Sequence, residues 1–214
     1  RKTDTGRPVF SSSILAAAVA SGHRDHFVVF NQDESRLAVA VPSTHTSIPN
    51  SVWILNLETG ESVDSGSLGD NSTSVIHSFS PDGRWLMTSG TEVLQLWDAE
   101  TGVPVTEGLR CGYPIRHASF SRDGRLIAIA TLEDQVRVWK LGDRDAPIPF
   151  AMKLAHPPLR HTDSVRRVAF SQDGRQLLAE AVVDQRIWSF PDKQIATRAL
   201  GDGAAFSRDG TRAV

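Results

Sequence analysis

The chain is 214 residues long, 40% hydrophobic and 22% charged, with a formal net charge of −2. This composition is typical of a globular protein with a substantial core, and the near-neutral charge disfavours a nucleic-acid-binding function. The single cysteine excludes an internal disulfide bond and favours a reducing, cytoplasmic location.

The N-terminal segment is predicted to be the end of one structural copy and the start of another. Residues 4–9 (DTGRPV) are similar to 100–105 (ETGVPV), which has the composition of a turn after a strand. The apolar run at 11–20 is similar to a signal-peptide core, but it follows that turn and continues into Gly22 and His23. We therefore expect a strand or loop that enters a repeat. No apolar run in the sequence is long enough to span a membrane.

A short phrase recurs along the rest of the chain. It reads SFSPDGRWL at 78–86, SFSRDGRLI at 119–127, AFSQDGRQL at 169–177 and AFSRDGTRA at 205–213, with a degenerate copy at 28–41. The phrases contain Phe30, Phe79, Phe120, Phe170 and Phe206, and the first four are followed by Trp53, Trp97, Trp139 and Trp188. The Phe-to-Trp spacing is 18 or 19 residues in three copies and 23 in the first. This regularity indicates one supersecondary unit copied along the chain.

Within a copy, apolar and polar residues alternate as in β-strands, for example over 93–97 and 136–139. The segment 80–83 (SPDG) is a hairpin signal, because proline presets the second turn position and glycine tolerates positive φ. Each copy thus predicts about four short strands in roughly 40–50 residues, the size of one propeller blade. Such small sheets bury too little alone, so the repeated phenylalanines and tryptophans are expected to pack between stacked blades.

The repeat resembles the WD-repeat β-propeller family. The resemblance rests on 161–165 (HTDSV), 168–175 (VAFSQDGR), 136–139 (VRVW) and 94–98 (LQLWD), and it covers nearly the whole chain. It implies an all-β propeller of four-stranded antiparallel blades. It also implies that His161 and Asp163 belong to a structural hydrogen-bond network that orients the tryptophan strand. The Trp-Asp ending is kept only at Trp97-Asp98, so the complete network is not expected in every blade.

Because the repeat extends over nearly the whole chain, residues 1–214 are expected to form part of a propeller. The blade copies fall at about 10–60, 61–103, 104–143 and 150–194, and a half copy follows at 195–214. Propellers of this kind usually close with about seven blades. An open ring would expose large apolar sheet faces, so we expect the remaining blades to come from a longer polypeptide or a second chain.

The sequence contains little that suggests catalysis or metal binding. His23, Asp25 and His26 lie close together, but residues three apart on a strand point to opposite faces, and a third metal ligand is not evident. Cys111 has no assigned base. There is no nucleophile elbow, phosphate-binding glycine loop or metalloprotease motif. We predict no cofactor, no bound metal and no enzymatic activity.

The resemblance implies a scaffold or sensor that binds a protein or a neighbouring domain of the same polypeptide. Arginine outnumbers lysine 19 to 4, which favours a bacterial source, and bacterial relatives of this type often lie beside signalling modules. Contacts are expected at the loops that enter each blade and between strands two and three, and longer connections occur at 42–50 and 143–159. The candidate contact residues are His26, His45, Tyr113, Arg116, Arg160 and Arg166.

Two other interpretations stay open on the sequence. The first is a propeller enzyme, or a binder of a small molecule or metal, with its site in the central channel. Such a site requires convergent polar groups from several blades. The second is a split half-propeller that assembles with a partner chain.

Overall fold

A computed structural model describes residues 28–41, 51–66, 75–142, 148–190 and 194–198. These ranges contain β-strands and turns but no helix, as the sequence predicts. The chain divides into two compact units, Arg1–Leu109 and Arg110–Val214. The candidate residues that lie outside the described ranges are His23, Asp25, His26, His45 and Phe206.

The described strands are short and follow one another closely. They are β1 (Val28–Phe30), β2 (Arg36–Val41), β3 (Ser51–Asn56), β4 (Ser62–Asp64), β5 (Val75–Phe79), β6 (Trp85–Ser89), β7 (Val93–Asp98), β8 (Leu109–Arg110), β9 (Ile115–Phe120), β10 (Leu126–Thr131), β11 (Gln135–Lys140), β12 (Lys153–Leu154), β13 (Leu159–Arg160), β14 (Val165–Phe170), β15 (Gln176–Ala181), β16 (Gln185–Ser189) and β17 (Gln194–Arg198). None of the described ranges contains a helix with the length and apolar character needed to cross a lipid bilayer.

Consecutive strands pair antiparallel into four sheets, numbered here in chain order. The first is β1-β2-β3-β4, the second β5-β6-β7-β8, the third β9-β10-β11-β12 and the fourth β14-β15-β16-β17. In the third sheet β13 also pairs with β11, so two short strands share its outer edge. The repeated tryptophan lies on the third strand of each sheet and the repeated phenylalanine at the end of the first, so the two residues of one copy belong to the same sheet.

The repeated Ser-X-Asp-Gly segment builds the turn between the first two strands of a sheet. In the fourth sheet, Ser171 Oγ donates to Asp173 Oδ1 at 2.6 Å and accepts from the backbone N–H of Gln176 at 2.9 Å. Gly174 follows with φ of 69°, a conformation that glycine adopts without steric cost. The same bonds recur at Ser80 with Asp82 and at Ser121 with Asp123. The turn is therefore a property of the repeat.

The degenerate first copy forms the same turn with other residues. Asn31 Oδ1 accepts from the backbone N–H of Arg36 at 2.8 Å, as the serine hydroxyl does elsewhere. The backbone N–H of Ser35 donates to Asp33 Oδ1 at 2.9 Å. Glu34 occupies the glycine position with φ of 59°. The first sheet thus keeps the turn although its sequence has lost the glycine.

Each unit has an apolar core between its two sheets. In the first unit, Phe79 and Trp97 pack with residues of the first sheet such as Ile54. In the second unit, Trp188 packs with residues of the third sheet such as Val138, and half-buried Phe170 packs against the same cluster. Among the other repeated aromatic residues, Phe120 is buried and Trp139 is half-buried.

Candidate functional site

The fourth sheet contains a hydrogen-bond network that joins the loop before β14 to the strand of Trp188. Trp188 Nε1 donates to His161 Nε2 at 3.2 Å, and the two rings meet edge to face with centroids 5.8 Å apart. His161 Nδ1 lies 3.3 Å from Asp184 Oδ1. Arg186 pairs with Asp184 Oδ2 at 2.7 Å and donates to the carbonyl of Arg160 at 2.6 Å. One loop, one turn and two strands are thereby held together.

The donor roles in this network define the protonation state of His161. An indole nitrogen can only donate, so His161 Nε2 is the acceptor and the ring proton lies on Nδ1, facing Asp184. Burial lowers the pKa of His161, against the hydrogen bond and charge of Asp184, which raise it. Burial alone would raise the pKa of Asp184, but hydrogen bonds from Thr162 and His161 and the charge of Arg186 lower it overall. A neutral, buried imidazole with both nitrogens engaged is not available as a general base.

The two repeated tryptophans of the first unit, Trp53 and Trp97, form hydrogen bonds within their own sheets. Trp97 Nε1 donates to Thr88 Oγ1 at 2.8 Å, across the pair β6 and β7. Trp53 Nε1 donates to Ser51 Oγ at 3.0 Å, along β3. A hydroxyl within reach is therefore sufficient to satisfy the indole without a histidine.

The second unit lacks that hydroxyl. In the strand registers, the position of Thr88 is taken by Ile129 in the third sheet and by Ala179 in the fourth. Trp188 bonds to the histidine instead. Trp139 Nε1 is buried and has no hydrogen-bond partner among the described residues. The network of the fourth sheet is therefore not copied in the third.

A polar residue stands two positions before each tryptophan. These residues are Ser51, Gln95, Arg137 and Arg186. In the second unit both are arginines that pair with an acidic residue of the preceding turn, and Arg137 reaches Glu133 at 2.7 Å. The turns before β11 and β16 are thus attached to the strands that follow them.

The loops and turns at one edge of the second unit form a continuous surface, which we call the rim. It comprises residues 113–116, 132–134, 160–166 and 182–184. The backbone N–H of Leu132 donates to the carbonyl of Pro114 at 2.9 Å, and that of His161 donates to Asp134 at 2.7 Å. The bond between His161 and Asp184 connects the last turn. These contacts hold the rim segments in fixed positions relative to one another.

The rim exposes hydrophobic side chains. Tyr113 is 45% exposed, Leu132 41%, Val182 42% and Val183 73%. Single exposed apolar residues are common on soluble proteins, but apolar groups clustered on a polar surface indicate an interaction site. Four such side chains on one hydrogen-bonded edge form the feature of the second unit that best fits a protein-binding surface.

The structure places four of the six predicted contact residues on the rim. Tyr113 is exposed and hydrogen-bonds to Glu133, and this bond, with the charge of Glu133, raises the pKa of Tyr113. Arg116, Arg160 and Arg166 are exposed. The other two, His26 and His45, lie outside the described ranges.

Sequence reasoning missed part of the site. The resemblance implied that His161 and Asp163 belong to a structural hydrogen-bond network. The carboxylate beside His161 belongs to Asp184, and Asp163 Oδ1 accepts from the backbone N–H of Ser164 at 2.6 Å. It also missed the exposed Leu132 and Val183. An acidic residue in the turn before the strands of Trp97, Trp139 and Trp188 was the signal available in the sequence.

Other candidate chemistry has little support in the described residues. Cys111 is buried. Within the described ranges, no three His, Cys, Asp or Glu residues are grouped so as to hold a metal ion. The first unit has an open cleft of about 270 Å³ whose lining is mostly polar and includes Arg36, Asp82 and Arg84. Small-molecule pockets are instead enclosed and mainly apolar.

Comparison with known proteins supports the fold. The sequence model of the WD40 family (WD domain, G-beta repeat) matches residues 65–98, which include β5 to β7. No curated protein matches the sequence. The solved β-propeller domain of Cps50 (Swd1) from Myceliophteria thermophila is similar with a TM-score of 0.64 and 19% sequence identity. The match covers 88% of this chain, and this chain spans 61% of the length of that one.

At that identity the likeness concerns the fold alone. This fold occurs widely, since 1184 solved chains are similar to this one, and the fold alone does not indicate one particular activity. The predicted fold class is confirmed: the chain is an all-β protein of four-stranded antiparallel blades with the β-propeller fold, and its second blade matches a WD repeat.

Proposed function

We propose that this chain is a non-catalytic protein–protein interaction module whose partner binds the rim. The observation that supports the proposal is the cluster of exposed hydrophobic side chains on a hydrogen-bonded edge. Propellers of the WD40 type generally act as scaffolds for protein partners, and loops on a rigid scaffold are where binding surfaces tend to lie. Because the rim segments are already linked to one another, binding would require little ordering of the backbone.

We place the module in a cytoplasmic bacterial regulatory protein with further domains, where it serves as sensor or scaffold. This context rests on the family resemblance, the excess of arginine over lysine and the single cysteine. The partner is then either a separate protein or a neighbouring domain.

Site-specific photocrosslinking in cells tests the proposal. A photoreactive amino acid replaces Thr162, which is exposed on the rim, or Gln172, which is exposed in the β14–β15 turn at the other end of the same sheet. We expect a defined protein, or a neighbouring domain of the same polypeptide, to crosslink from position 162 and not from position 172. Equal crosslinking from both positions would contradict the proposal.

A matched pair of variants tests the role of the apolar side chains. Burial of a valine or leucine side chain contributes about 1.5–3 kcal/mol, so Leu132→Ser with Val183→Ser should weaken partner binding by more than about tenfold. The control replaces Leu154 and Ile148, which are exposed in the same unit but lie outside the rim. Crosslinking from position 162 should be lost in the first double variant and kept in the second.

A further inference from the structure

The first strands of the third and fourth blades each contain a β-bulge at the same position. In the pair β9 and β10, His117 is opposite Ala130 and Ile115 is opposite Thr131, so Arg116 has no partner residue. In the pair β14 and β15, Arg167 is opposite Glu180 and Val165 is opposite Ala181, so Arg166 has none. Both arginines lie four residues before the repeated phenylalanine. A bulge redirects the side chain of the extra residue, and bulges are common beside functional sites.

The two bulges lie on neighbouring strands. β9 and β14 are in contact, and the backbone nitrogen of Val168 lies 3.5 Å from Nδ1 of His117. Arg116 precedes His117 directly, and Arg166 is two residues before Val168. Both arginines are therefore near the start of adjacent strands, at the edge where the rim exposes its hydrophobic side chains.

Three of the acidic residues around this position have partners inside the second unit. Glu133 pairs with Arg137, Asp184 pairs with Arg186, and Asp163 accepts from the backbone of Ser164. Among the described residues, no carboxylate lies within ion-pair distance of Arg116 or Arg166. Two exposed guanidinium groups without an internal counter-charge favour an anionic ligand, and guanidinium geometry suits a carboxylate.

We propose that Arg116 and Arg166 together bind carboxylate side chains of an acidic segment of the partner, beside the apolar contact of the rim. The inference rests on the proposed function and adds the charge of the partner segment. A carboxylate-rich segment offers several anions at short spacing, which two neighbouring arginines can engage at once. Attraction of this kind also accelerates encounter and depends on salt concentration.

Fluorescence anisotropy with a labelled oligoglutamate peptide tests the proposal on the whole chain. Wild type is expected to bind the peptide at low salt and not an oligoglutamine peptide of equal length. Arg116→Gln with Arg166→Gln should weaken binding on the order of tenfold, given the strength of two exposed ion pairs. The matched control is Arg125→Gln with Arg175→Gln, which removes the same charge from exposed positions at the opposite end of the same strands and should leave binding nearly unchanged.

Three outcomes would overturn the proposal: no binding of oligoglutamate by wild type, equal loss in both double variants, or tighter binding of single-stranded DNA with the same dependence on Arg116 and Arg166. The last outcome would indicate a nucleic-acid site. Replacement of both arginines by glutamate provides a second check, because this variant should bind oligolysine in place of oligoglutamate. If the Leu132 and Val183 variant loses the partner while Arg116→Gln with Arg166→Gln keeps it, the proposed function stands and this inference fails.

Discussion

The indole N–H of Trp188 donates to His161, which comes from a loop 27 residues earlier in the chain. His161 in turn lies against Asp184, in the turn just before the tryptophan strand. In the fourth blade, the neutral imidazole of His161 therefore links the indole of Trp188, which donates to it, to the carboxylate of Asp184, which accepts from it. In the second blade, the tryptophan indole is satisfied by one direct hydrogen bond from Trp97 to Thr88.

Replacement of Trp188 by phenylalanine should destabilise the protein more than the same change at Trp139. The first change leaves Nε2 of buried His161 without its donor, whereas the indole nitrogen of Trp139 has no partner among the described residues. We expect a difference of about 1–2 kcal/mol in the free energy of unfolding. Urea denaturation of both variants measures it, and equal losses would show that the Trp188 bond contributes nothing.

Acid should destabilise the wild type partly through His161. Its pKa in the folded state is lowered below the ordinary value of 6.5, so the unfolded chain takes up the proton first as the pH falls. The stability that the neutral His161 contributes to the folded state is thus fully present above pH 6.5 and is lost as the pH falls below it. Protonation of Nε2 would also remove the acceptor for the Trp188 indole.

The check is the free energy of unfolding measured from about pH 7.5 to about pH 5. The wild type should lose more stability over this range than His161→Gln, which cannot titrate. The other histidines are present in both proteins, so the difference between the two slopes isolates His161. If the free energy of unfolding fell equally with pH in both proteins, His161 would not contribute to the acid sensitivity of the wild type.

Glu34→Gly should stabilise the protein. Glu34 has φ of 59°, in the left-handed region, which costs a non-glycine residue about 1–2 kcal/mol. Glycine relieves this cost but loses about 0.5–1 kcal/mol more backbone entropy on folding. A net gain of roughly 0.5 kcal/mol is expected in urea denaturation, and Glu34→Ala, which keeps the strain, should give no gain.

The reverse change, Gly174→Ala, should destabilise the protein by about 1 kcal/mol. The added Cβ meets no atom within 4 Å, so the cost comes from φ of 69° and not from a clash. Urea denaturation measures the difference. An alanine variant with the same free energy of unfolding as the wild type would contradict this prediction.

The phenol of Tyr113 should titrate above its ordinary pKa of 10.0, because it is hydrogen-bonded to Glu133 and feels the charge of that residue. Glu133→Gln removes the charge and should bring the pKa down towards 10.0. Tyr113 is the only tyrosine in the chain, so the absorbance of tyrosinate reports on this residue alone. Circular dichroism at each pH controls for unfolding. If the titration midpoint of tyrosinate were the same in the wild type and in Glu133→Gln, Tyr113 would not be in contact with Glu133.

Much of the fold follows from local sequence. The alternation along 93–97 and 136–139 and the Ser-X-Asp-Gly turns predict strands and hairpins, because each depends on residues only a few positions apart. The constant spacing from phenylalanine to tryptophan predicts a repeated unit, and each phenylalanine lies in the same sheet as the tryptophan that follows it.

The site was less predictable, because its contacts join residues distant in the chain. The sequence pattern singles out His161 and Asp163, but it does not show that the carboxylate against His161 comes from Asp184, 23 residues later in the chain. The bulges at Arg116 and Arg166 depend on the register between strands, which the local pattern does not define. The sequence by itself thus determined the strands, the turns and the repeated blade, since these arise from neighbouring residues. Only the tertiary structure decided which polar groups pair and which hydrophobic side chains stay exposed, because burial depends on the packing of whole sheets.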